Sequence, residues 1–270
     1  MSKKQNIHFI HANGFPPGAY KTLFNNLKDN TQITNFFLRP LVDSQKNTIN
    51  EINNWIPFFN DFINSIKSEK NIIGMGHSIG GNIVLRAGLS HPNLFSKLVL
   101  LDPTLFIPRI IFLWSIVAKL NLQKRFHPWI NATLNRKMIY DNFDEIFKSY
   151  RKKNVFKKIN DNNLKIYINS ITKIHNQKLH ITYSKEWEHQ IYKTGLIEDY
   201  YIWNNIKNIK VPTLIIKADD SNAFMDSAAK KIDKMNSEKI KIITIKDTTH
   251  LFPLEVPEKA SKIISDFIKE

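Results

Sequence analysis

A serine stands between two glycines in the segment Gly76-His77-Ser78-Ile79-Gly80, directly after the apolar run 71–75 and before a helix-like run over 82–89. A serine hydroxyl becomes a nucleophile when it is exposed, aimed and next to a base, and a tight strand-to-helix turn supplies the first two conditions. The flanking glycines leave room where a Cβ would clash, and the turn forces the serine toward strained backbone angles. The following helix directs unpaired N–H groups at the place where an oxyanion would form. The segment therefore predicts Ser78 as a catalytic nucleophile.

A histidine late in the sequence is the candidate base. His250 follows the last apolar run and precedes a helix that begins favourably with Pro257 and Glu258. The residues at 251–254 are apolar or proline, so they can pack this loop against the core. Because the loop follows the last predicted strand, it is expected at the same sheet edge as the serine turn, and His250 is predicted to relay the proton.

Donors for an oxyanion are expected in the loop 11–18, which is too rich in glycine and proline to form a regular element. This loop follows the first apolar run and opens beside the serine turn. We expect the backbone N–H of Asn13 and that of Ile79, just after the nucleophile, to hold a tetrahedral intermediate. The side chain of Asn13 offers a further donor.

The elements that must position these residues follow from hydrophobic patterning. Six short apolar runs predict buried parallel strands, at 7–10, 33–37, 72–75, 98–101, 213–217 and 240–245. Most of the intervals have helical spacing, as in the apolar positions of 55–66. Alternating strands and helices predict an α/β protein with right-handed crossovers, a sheet covered on both faces and a functional site at the carboxyl ends of the strands.

One long interval breaks this alternation. Residues 103 to about 210 contain no convincing strand, which predicts a helical cap of residues 104–210 above a core of residues 1–103 and 211–270. The apolar opening at 105–122 is interrupted by Pro108, Arg109 and Lys119, so it is a poor membrane-spanning helix. It is interpreted either as a pocket-lining helix or as a lid that makes weak contact with an anionic membrane surface, the latter supported by the basic cluster at 151–158.

Composition limits the classes of function. The sequence has no cysteine, which excludes disulfides, thiolate metal sites and thiol catalysis. His175, His180 and His189 lack the i, i+4 pairing of a helical zinc site and are expected at the surface, so no metal is predicted. The net charge of +15 comes mostly from residues 103–210, with 19 Lys and Arg against 8 Asp and Glu, but no nucleic-acid-binding motif accompanies it. Residues 1–6 lack the apolar core of a signal peptide, and we expect a cytoplasmic protein.

Taken together, these segments resemble the α/β-hydrolase superfamily of lipases and esterases over most of the sequence outside the cap. The resemblance is carried by His-Ala-Asn-Gly-Phe-Pro-Pro at 11–17, Gly-His-Ser-Ile-Gly-Gly at 76–81, Leu-Leu-Asp-Pro at 100–103 and His250. It implies an α/β-hydrolase fold with a mostly parallel sheet of about six strands, flanked by helices, and a helical cap inserted after the fourth strand. The first two strands of the full family sheet are not expected, because the oxyanion loop follows the first strand.

The resemblance leaves the acid of the triad open. In most relatives the carboxylate follows the strand at 212–216, and at the matching position this sequence has Ser221, which carries no charge. Asp219 and Asp220 lie one or two residues earlier, whereas Asp102 ends the preceding sheet strand, from which some family members draw the acid. Neighbouring strand tips are about 4.8 Å apart, so the histidine loop can reach either one. Asp102 is the preferred acid and Asp220 the alternative.

The function implied is serine hydrolysis of an ester or thioester through a Ser-His-Asp acyl-enzyme, acting on a small-molecule acyl substrate without a cofactor, as in lipase-like carboxylic ester hydrolases. Acyl transfer or C–C hydrolysis would use the same triad. A catalytically silent hydrolase-fold protein that binds a ligand through the cap is a third interpretation. Epoxide and haloalkane chemistry in this fold generally uses an aspartate nucleophile, so Ser78 disfavours both.

Overall fold

The computed structural model describes residues 4–42, 49–195, 200–235 and 238–270. Its strands are β1 (Gln5–Ile10), β2 (Thr31–Phe36), β3 (Ile72–His77), β4 (Phe95–Leu101), β5 (Ile139–Tyr140), β6 (Thr172–His175), β7 (Lys178–Ile181), β8 (Thr213–Asp220) and β9 (Ile240–Thr249). Six of them form one sheet in the order β2-β1-β3-β4-β8-β9, with every pair parallel. The six predicted strands and the parallel sheet are confirmed.

Helices join these strands. They are α1 (Lys21–Leu27), α2 (Arg39–Val42), α3 (Ile56–Ile66), α4 (Ile79–Ser90), α5 (Pro108–Lys119), α6 (Gln123–Phe126), α7 (Pro128–Leu134), α8 (Phe143–Arg151), α9 (Asp161–Ile171), α10 (Lys185–Thr194), α11 (Tyr200–Asn205), α12 (Asp226–Lys234), α13 (Phe252–Glu255) and α14 (Pro257–Lys269). Short 3-10 helices span Pro17–Tyr20, Ile49–Glu51, Pro92–Leu94, Asn154–Phe156 and Ile206–Asn208.

Apolar side chains cover both faces of the large sheet. Along β4, Val99 and Leu101 pack in a cluster with residues of α1 and α14, whereas Leu98 and Leu100 pack in another with residues of α3, α4 and α12. Because successive strand residues face opposite sides, the two clusters lie on opposite faces of the sheet. The central strand β3 is buried along its whole length, which explains its continuous apolar run.

The strands β8 and β9 extend three and four residues beyond the carboxyl ends of their predicted apolar runs. β8 continues to Asp220 and β9 to Thr249, and the two chain segments still pair there, with Asp220 opposite Thr249. Backbone hydrogen bonds extend both strands through polar residues, which hydrophobic patterning does not identify as strand. The extension matters for the site, because it sets the position at which His250 leaves the sheet.

The segment between β4 and β8 is mostly helical, with α5 to α11, but it also contains a three-stranded antiparallel sheet in the order β5-β7-β6. The prediction that this segment holds no strand was wrong. These strands have only two to four residues, and much of β6 and β7 is exposed and polar, so they lack the apolar signature of the large sheet. Asn176 and Gln177, with φ of 48° and 61°, form the two-residue left-handed turn typical of a tight hairpin.

Within the part of the chain that the structure describes, no helix combines the length and the apolar character needed to cross a membrane.

Candidate active site

Ser78 occupies a strained turn between β3 and α4. Its backbone lies at φ 57° and ψ −122°, outside the regions that an L-residue adopts without strain. A Cβ on Gly76 would lie 2.2 Å from the Gly80 carbonyl oxygen, and one on Gly80 would lie 2.2 Å from the Ile10 carbonyl oxygen. The two glycines therefore allow backbone segments to approach more closely than any side chain permits. The turn leaves Ser78 partly exposed at the carboxyl end of β3.

The structure brings Asp102 and His250 together. Asp102 is fully buried at the end of β4, and its Oδ2 accepts a hydrogen bond from His250 Nδ1 at 2.7 Å. Its Oδ1 accepts from the backbone N–H of Ala218 at 2.9 Å. His250 keeps 24% of its side chain exposed, and its Nε2 makes no hydrogen bond among the described residues. This arrangement leaves Nε2 free to accept a proton.

Ser221, at the position where the acid of most relatives was expected, contributes a hydroxyl to this pair. Its Oγ accepts from the backbone N–H groups of Ala223 and Phe224, at 3.2 and 2.8 Å. With its lone pairs engaged in this way, Ser221 donates its own proton to Asp102 Oδ2 at 2.6 Å. Asp102 thus accepts three hydrogen bonds, which stabilise a buried negative charge. The sequence showed that Ser221 carries no charge but not that it binds the carboxylate.

The alternative acids lie elsewhere. Asp219 accepts from the backbone N–H of Asp247 and pairs with Lys246, both at 3.4 Å. Asp220 is exposed, and among the described residues it forms no hydrogen bond with His250. The geometry therefore favours Asp102 over both of them.

The histidine within the serine motif ties two loops together. His77 Nε2 lies 2.9 Å from the backbone oxygen of His250, and because a carbonyl only accepts, this nitrogen carries the proton. His77 Nδ1 accepts the hydroxyl proton of Tyr20 at 2.7 Å, and the Tyr20 oxygen accepts from the Ala12 N–H at 3.3 Å. Burial lowers the pKa of His77 well below its ordinary value, which keeps the ring neutral. Sequence reasoning missed His77 and Tyr20, because their roles depend on partners far away in the chain.

The Ser78 hydroxyl has a partner that the sequence did not indicate. Its Oγ lies 3.0 Å from Thr104 Oγ1, and within the described residues it makes no hydrogen bond with His250. The Thr104 backbone is held in turn by Ser78, whose carbonyl accepts from the Thr104 N–H at 3.2 Å. His250 nevertheless lies beside the serine turn, since its ring centroid is 4.8 Å from that of His77. Rotation of the Ser78 side chain about its Cα–Cβ bond redirects Oγ from Thr104 without moving the backbone.

The expected oxyanion donors are the backbone N–H groups of Asn13 and Ile79. In the part of the chain that the structure describes, neither the Asn13 N–H nor the Ile79 N–H donates to a protein acceptor. The Asn13 side chain, however, is already engaged. It donates to the Glu188 backbone oxygen at 3.1 Å and accepts from the Tyr183 hydroxyl at 3.1 Å. One of its two amide N–H groups and its amide oxygen are thus engaged, and they anchor the loop to α10 and to Tyr183.

A buried ion pair lies next to the loop that carries Asn13. Arg136 Nη1 donates to Glu188 Oε2, and Arg136 Nη2 donates to the Tyr183 backbone oxygen at 3.0 Å. Burial raises the pKa of Glu188, an effect that the nearby guanidinium opposes. A Cβ on Gly14 would lie 3.1 Å from Glu188 Oε1, so this position favours glycine on steric grounds as well as by its φ of 77°. The segment 104–210 thus fixes the loop that carries Asn13.

Among the described residues, no three His, Asp or Glu side chains are grouped so that they could hold a metal ion.

The sheet and its flanking helices are those of the α/β-hydrolases. The chain belongs to the Hydrolase_4 family, described as serine aminopeptidase, S33, whose profile matches residues 43–257. The solved structure of E-2-(acetamidomethylene)succinate hydrolase is similar, with a TM-score of 0.78 and 16% identity, covering 99% of this chain and 92% of that one. At that identity the likeness shows the fold alone.

Two relatives are similar in sequence. The type I acyl-CoA thioesterase mpaH′ of Penicillium brevicompactum is 32% identical over 115 residues, which cover 36% of this chain and 26% of the thioesterase. This chain therefore spans about a quarter of that relative's length. The uncharacterized hydrolase YugF of Bacillus subtilis is 27% identical over 216 residues, covering 74% of this chain and 66% of YugF. The name of the matching family and the names of both relatives refer to hydrolases.

Proposed function

We propose that the protein is a serine hydrolase that cleaves an ester or thioester through an acyl-enzyme, with Ser78 as nucleophile, His250 as base and Asp102 as acid. The observation that carries the proposal is the hydrogen bond between His250 Nδ1 and the buried Asp102 carboxylate, 2.7 Å long, beside the strained turn of Ser78. A carboxylate in this place holds the imidazole in the tautomer whose Nε2 accepts a proton, and it stabilises the imidazolium that follows.

The proposed reaction begins when Ser78 Oγ leaves Thr104 and turns toward His250. Oγ forms a bond with the carbonyl carbon of the substrate while its proton passes to His250 Nε2. The negative charge on the carbonyl oxygen is stabilised by the N–H groups of Asn13 and Ile79, for which the described residues provide no acceptor. His250 then protonates the departing alcohol or thiol, and the acyl group stays on Ser78.

Water completes the proposed cycle. His250 takes a proton from the water molecule as its oxygen attacks the acyl carbon, and the same proton is returned to Ser78 Oγ when the acid product departs. Each proton thus moves through one imidazole, and no step requires a metal or an organic cofactor. Residues 104–210 would cover the acyl group as a cap, because Thr104 contacts Ser78 and α10 contacts the loop of Asn13.

The thioester is the more specific candidate for the substrate. It rests on the similarity to an acyl-CoA thioesterase, which covers 36% of this chain. A matched pair of substrates, an acyl thioester and the oxygen ester of the same acyl group, would measure this preference directly. A kcat/KM for the thioester at least about tenfold higher, roughly 1.4 kcal/mol in transition-state binding, would support it.

A serine-directed fluorophosphonate provides the test of the general proposal. Wild type should be labelled in a time-dependent reaction that stops ester hydrolysis, whereas Ser78→Ala should not be labelled. Ser90→Ala is a matched control, since Ser90 is the last residue of α4 and Ser78 directly precedes the first. An unlabelled wild type that folds normally would contradict the proposal and favour a ligand-binding protein with a silent hydrolase fold.

A further inference from the structure

Helix α5 presents an apolar face that the rest of the described protein leaves uncovered. Four large side chains on it or at its C-cap are 40% to 62% exposed: Phe112, Leu113, Ile116 and Leu120. At about 100° per residue they fall within an arc of about 100°, and the buried side chains of Ile111 and Trp114 point the opposite way. Phe126, at the end of the neighbouring helix α6, is 60% exposed. These five exposed side chains are called the α5 face.

The charges along this part of the chain are all positive. Residues 103–140 contain 6 Lys and Arg and no Asp or Glu. By the same helical geometry, Arg109 lies within the apolar arc and Lys119 at its edge, while Lys124 and Arg125 directly precede Phe126. All four side chains are exposed, and none forms an ion pair with a described residue. Apolar groups and unpaired cations therefore share one surface.

The basic cluster at 151–158, first expected to provide such a surface, is partly engaged inside the protein. Arg151 pairs with Asp161 at 3.0 Å and donates to the backbone oxygens of Phe156 and Ile159. The Lys153 ammonium lies 3.8 Å from the centroid of the Tyr150 ring. The α5 face is the stronger candidate because the cations beside it have no such partners among the described residues.

This chemistry matches the surface of an anionic lipid bilayer. Aromatic and aliphatic side chains enter the boundary between head groups and acyl chains, while Lys and Arg bind the phosphates around them. With 12 residues, α5 is about 18 Å long, which suits a helix that lies along a bilayer rather than one that crosses it. A second copy of the chain is disfavoured, because a two-fold contact would place the same cations opposite each other.

We propose that the α5 face docks on anionic lipid bilayers and holds the protein at their surface. The candidate active site lies close to this face in the chain, since Thr104, the partner of Ser78, precedes the start of α5 by four residues. Docking would therefore place the entrance to Ser78 near a phase in which long acyl chains concentrate. The proposal concerns binding and stands whether or not the protein is a serine hydrolase.

Cosedimentation with vesicles tests it. Wild type should sediment with vesicles of phosphatidylcholine and phosphatidylglycerol but not with phosphatidylcholine alone, and raising NaCl from about 0.1 M to about 0.5 M should weaken binding. Two variants, Phe112→Ser/Leu113→Ser and Lys124→Glu/Arg125→Glu, should each lower the partition coefficient at least about tenfold. The changed side chains are exposed, so thermal melting followed by circular dichroism should remain that of wild type.

Matched controls make the same chemical changes elsewhere. Ile139→Ser/Ile174→Ser alters two exposed apolar residues of the small sheet, and Lys259→Glu/Lys262→Glu reverses two exposed charges on α14, which packs on the opposite face of the large sheet from α5. Both controls should bind as wild type does. Repeating the assay with Ser78→Ala separates docking from catalysis.

Three outcomes of the vesicle assay would overturn the proposal. They are no binding to anionic vesicles, equal binding to neutral ones, and equal losses in the variants and the controls. Light scattering tests the other candidate partner of the α5 face, which is a second copy of the chain. A concentration-dependent dimer that Phe112→Ser/Leu113→Ser abolishes would assign the α5 face to a second copy of the chain and would also overturn docking on lipid.

Discussion

Replacing Asp102 by asparagine should disable the candidate site by reversing the tautomer of His250. The Ala218 N–H, 2.9 Å from Oδ1, requires an acceptor, so the amide oxygen of the new side chain takes that place. The amide nitrogen then occupies the position of Oδ2, 2.7 Å from His250 Nδ1, and donates to it. His250 must carry its proton on Nε2, where it can no longer accept one from Ser78.

The expected loss in kcat is about 10⁴-fold, or about 5 kcal/mol of transition-state stabilisation, with KM changed much less. Initial rates with an activated ester such as p-nitrophenyl butyrate measure it, and thermal melting checks that the variant folds. Asp220→Asn is the matched control and should retain the wild-type rate. Near-normal turnover by Asp102→Asn, or a collapse of activity in Asp220→Asn, would refute the assignment.

Adding a second substitution, at Ser221, tests the assignment of Asp102 more strictly. Ser221 Oγ lies 2.6 Å from Asp102 Oδ2, so a carboxylate at position 221 would come within reach of the same imidazole nitrogen. Asp102→Asn/Ser221→Asp should therefore recover at least about tenfold of the rate lost by the single variant. A double variant no faster than Asp102→Asn would show that the two strand tips are not interchangeable at this site.

Three further predictions concern the structure around the site. Tyr20→Phe removes the hydroxyl bonded to His77 Nδ1 and should lower the free energy of unfolding by about 1–3 kcal/mol in urea titrations, because a buried nitrogen is left unpaired; a change below about 0.5 kcal/mol would contradict the proposed hydrogen-bond chain. Burial lowers the pKa of His11 to about 4 and that of His77 well below 6.5, so the unfolded state binds protons first as the pH falls. The free energy of unfolding should be constant above about pH 7 and drop below pH 6.5, by about 1.4 kcal/mol per pH unit for each such histidine. His11→Gln should lower this slope by about 1.4 kcal/mol per pH unit, the exposed control His175→Gln should leave it intact, and an unchanged slope in His11→Gln would refute the argument. Gly76→Ala should lower the free energy of unfolding by more than about 3 kcal/mol or prevent folding, since its Cβ would meet a backbone oxygen at 2.2 Å, and a normal melting temperature would contradict that contact.

The four inner strands of the large sheet, β1, β3, β4 and β8, could be predicted from the sequence because most of their residues are buried on both faces. Such strands are continuous apolar runs, and β3 is buried at all six positions. The small sheet could not be predicted in the same way, because β6 exposes Lys173, Ile174 and His175 and its pairing depends on a hairpin turn. Asn176 and Gln177 were the residues that could have indicated the hairpin, but their backbone angles are needed to identify the turn.

At the site, local sequence and long-range contacts contribute differently. The strain at Ser78 follows from a short motif, so the sequence alone predicts it. Whether Asp102 or Asp220 binds the imidazole of His250 depends on the position of the loop after β9. The two positions differ by only the distance between neighbouring strands. The proton position on His77 likewise depends on Tyr20 and His250, which are 57 and 173 residues away along the chain. Neither is encoded in any local pattern.

The hydrogen bond from His77 to the His250 backbone has a consequence for biosynthesis. A ribosome produces β3 and its serine turn well before β9, so the turn can form while the imidazole that would activate it has not yet been translated. On the proposed mechanism, a nascent chain that ends at β8 lacks the imidazole that would activate Ser78. Reactivity would begin only when the loop after β9 docks on His77.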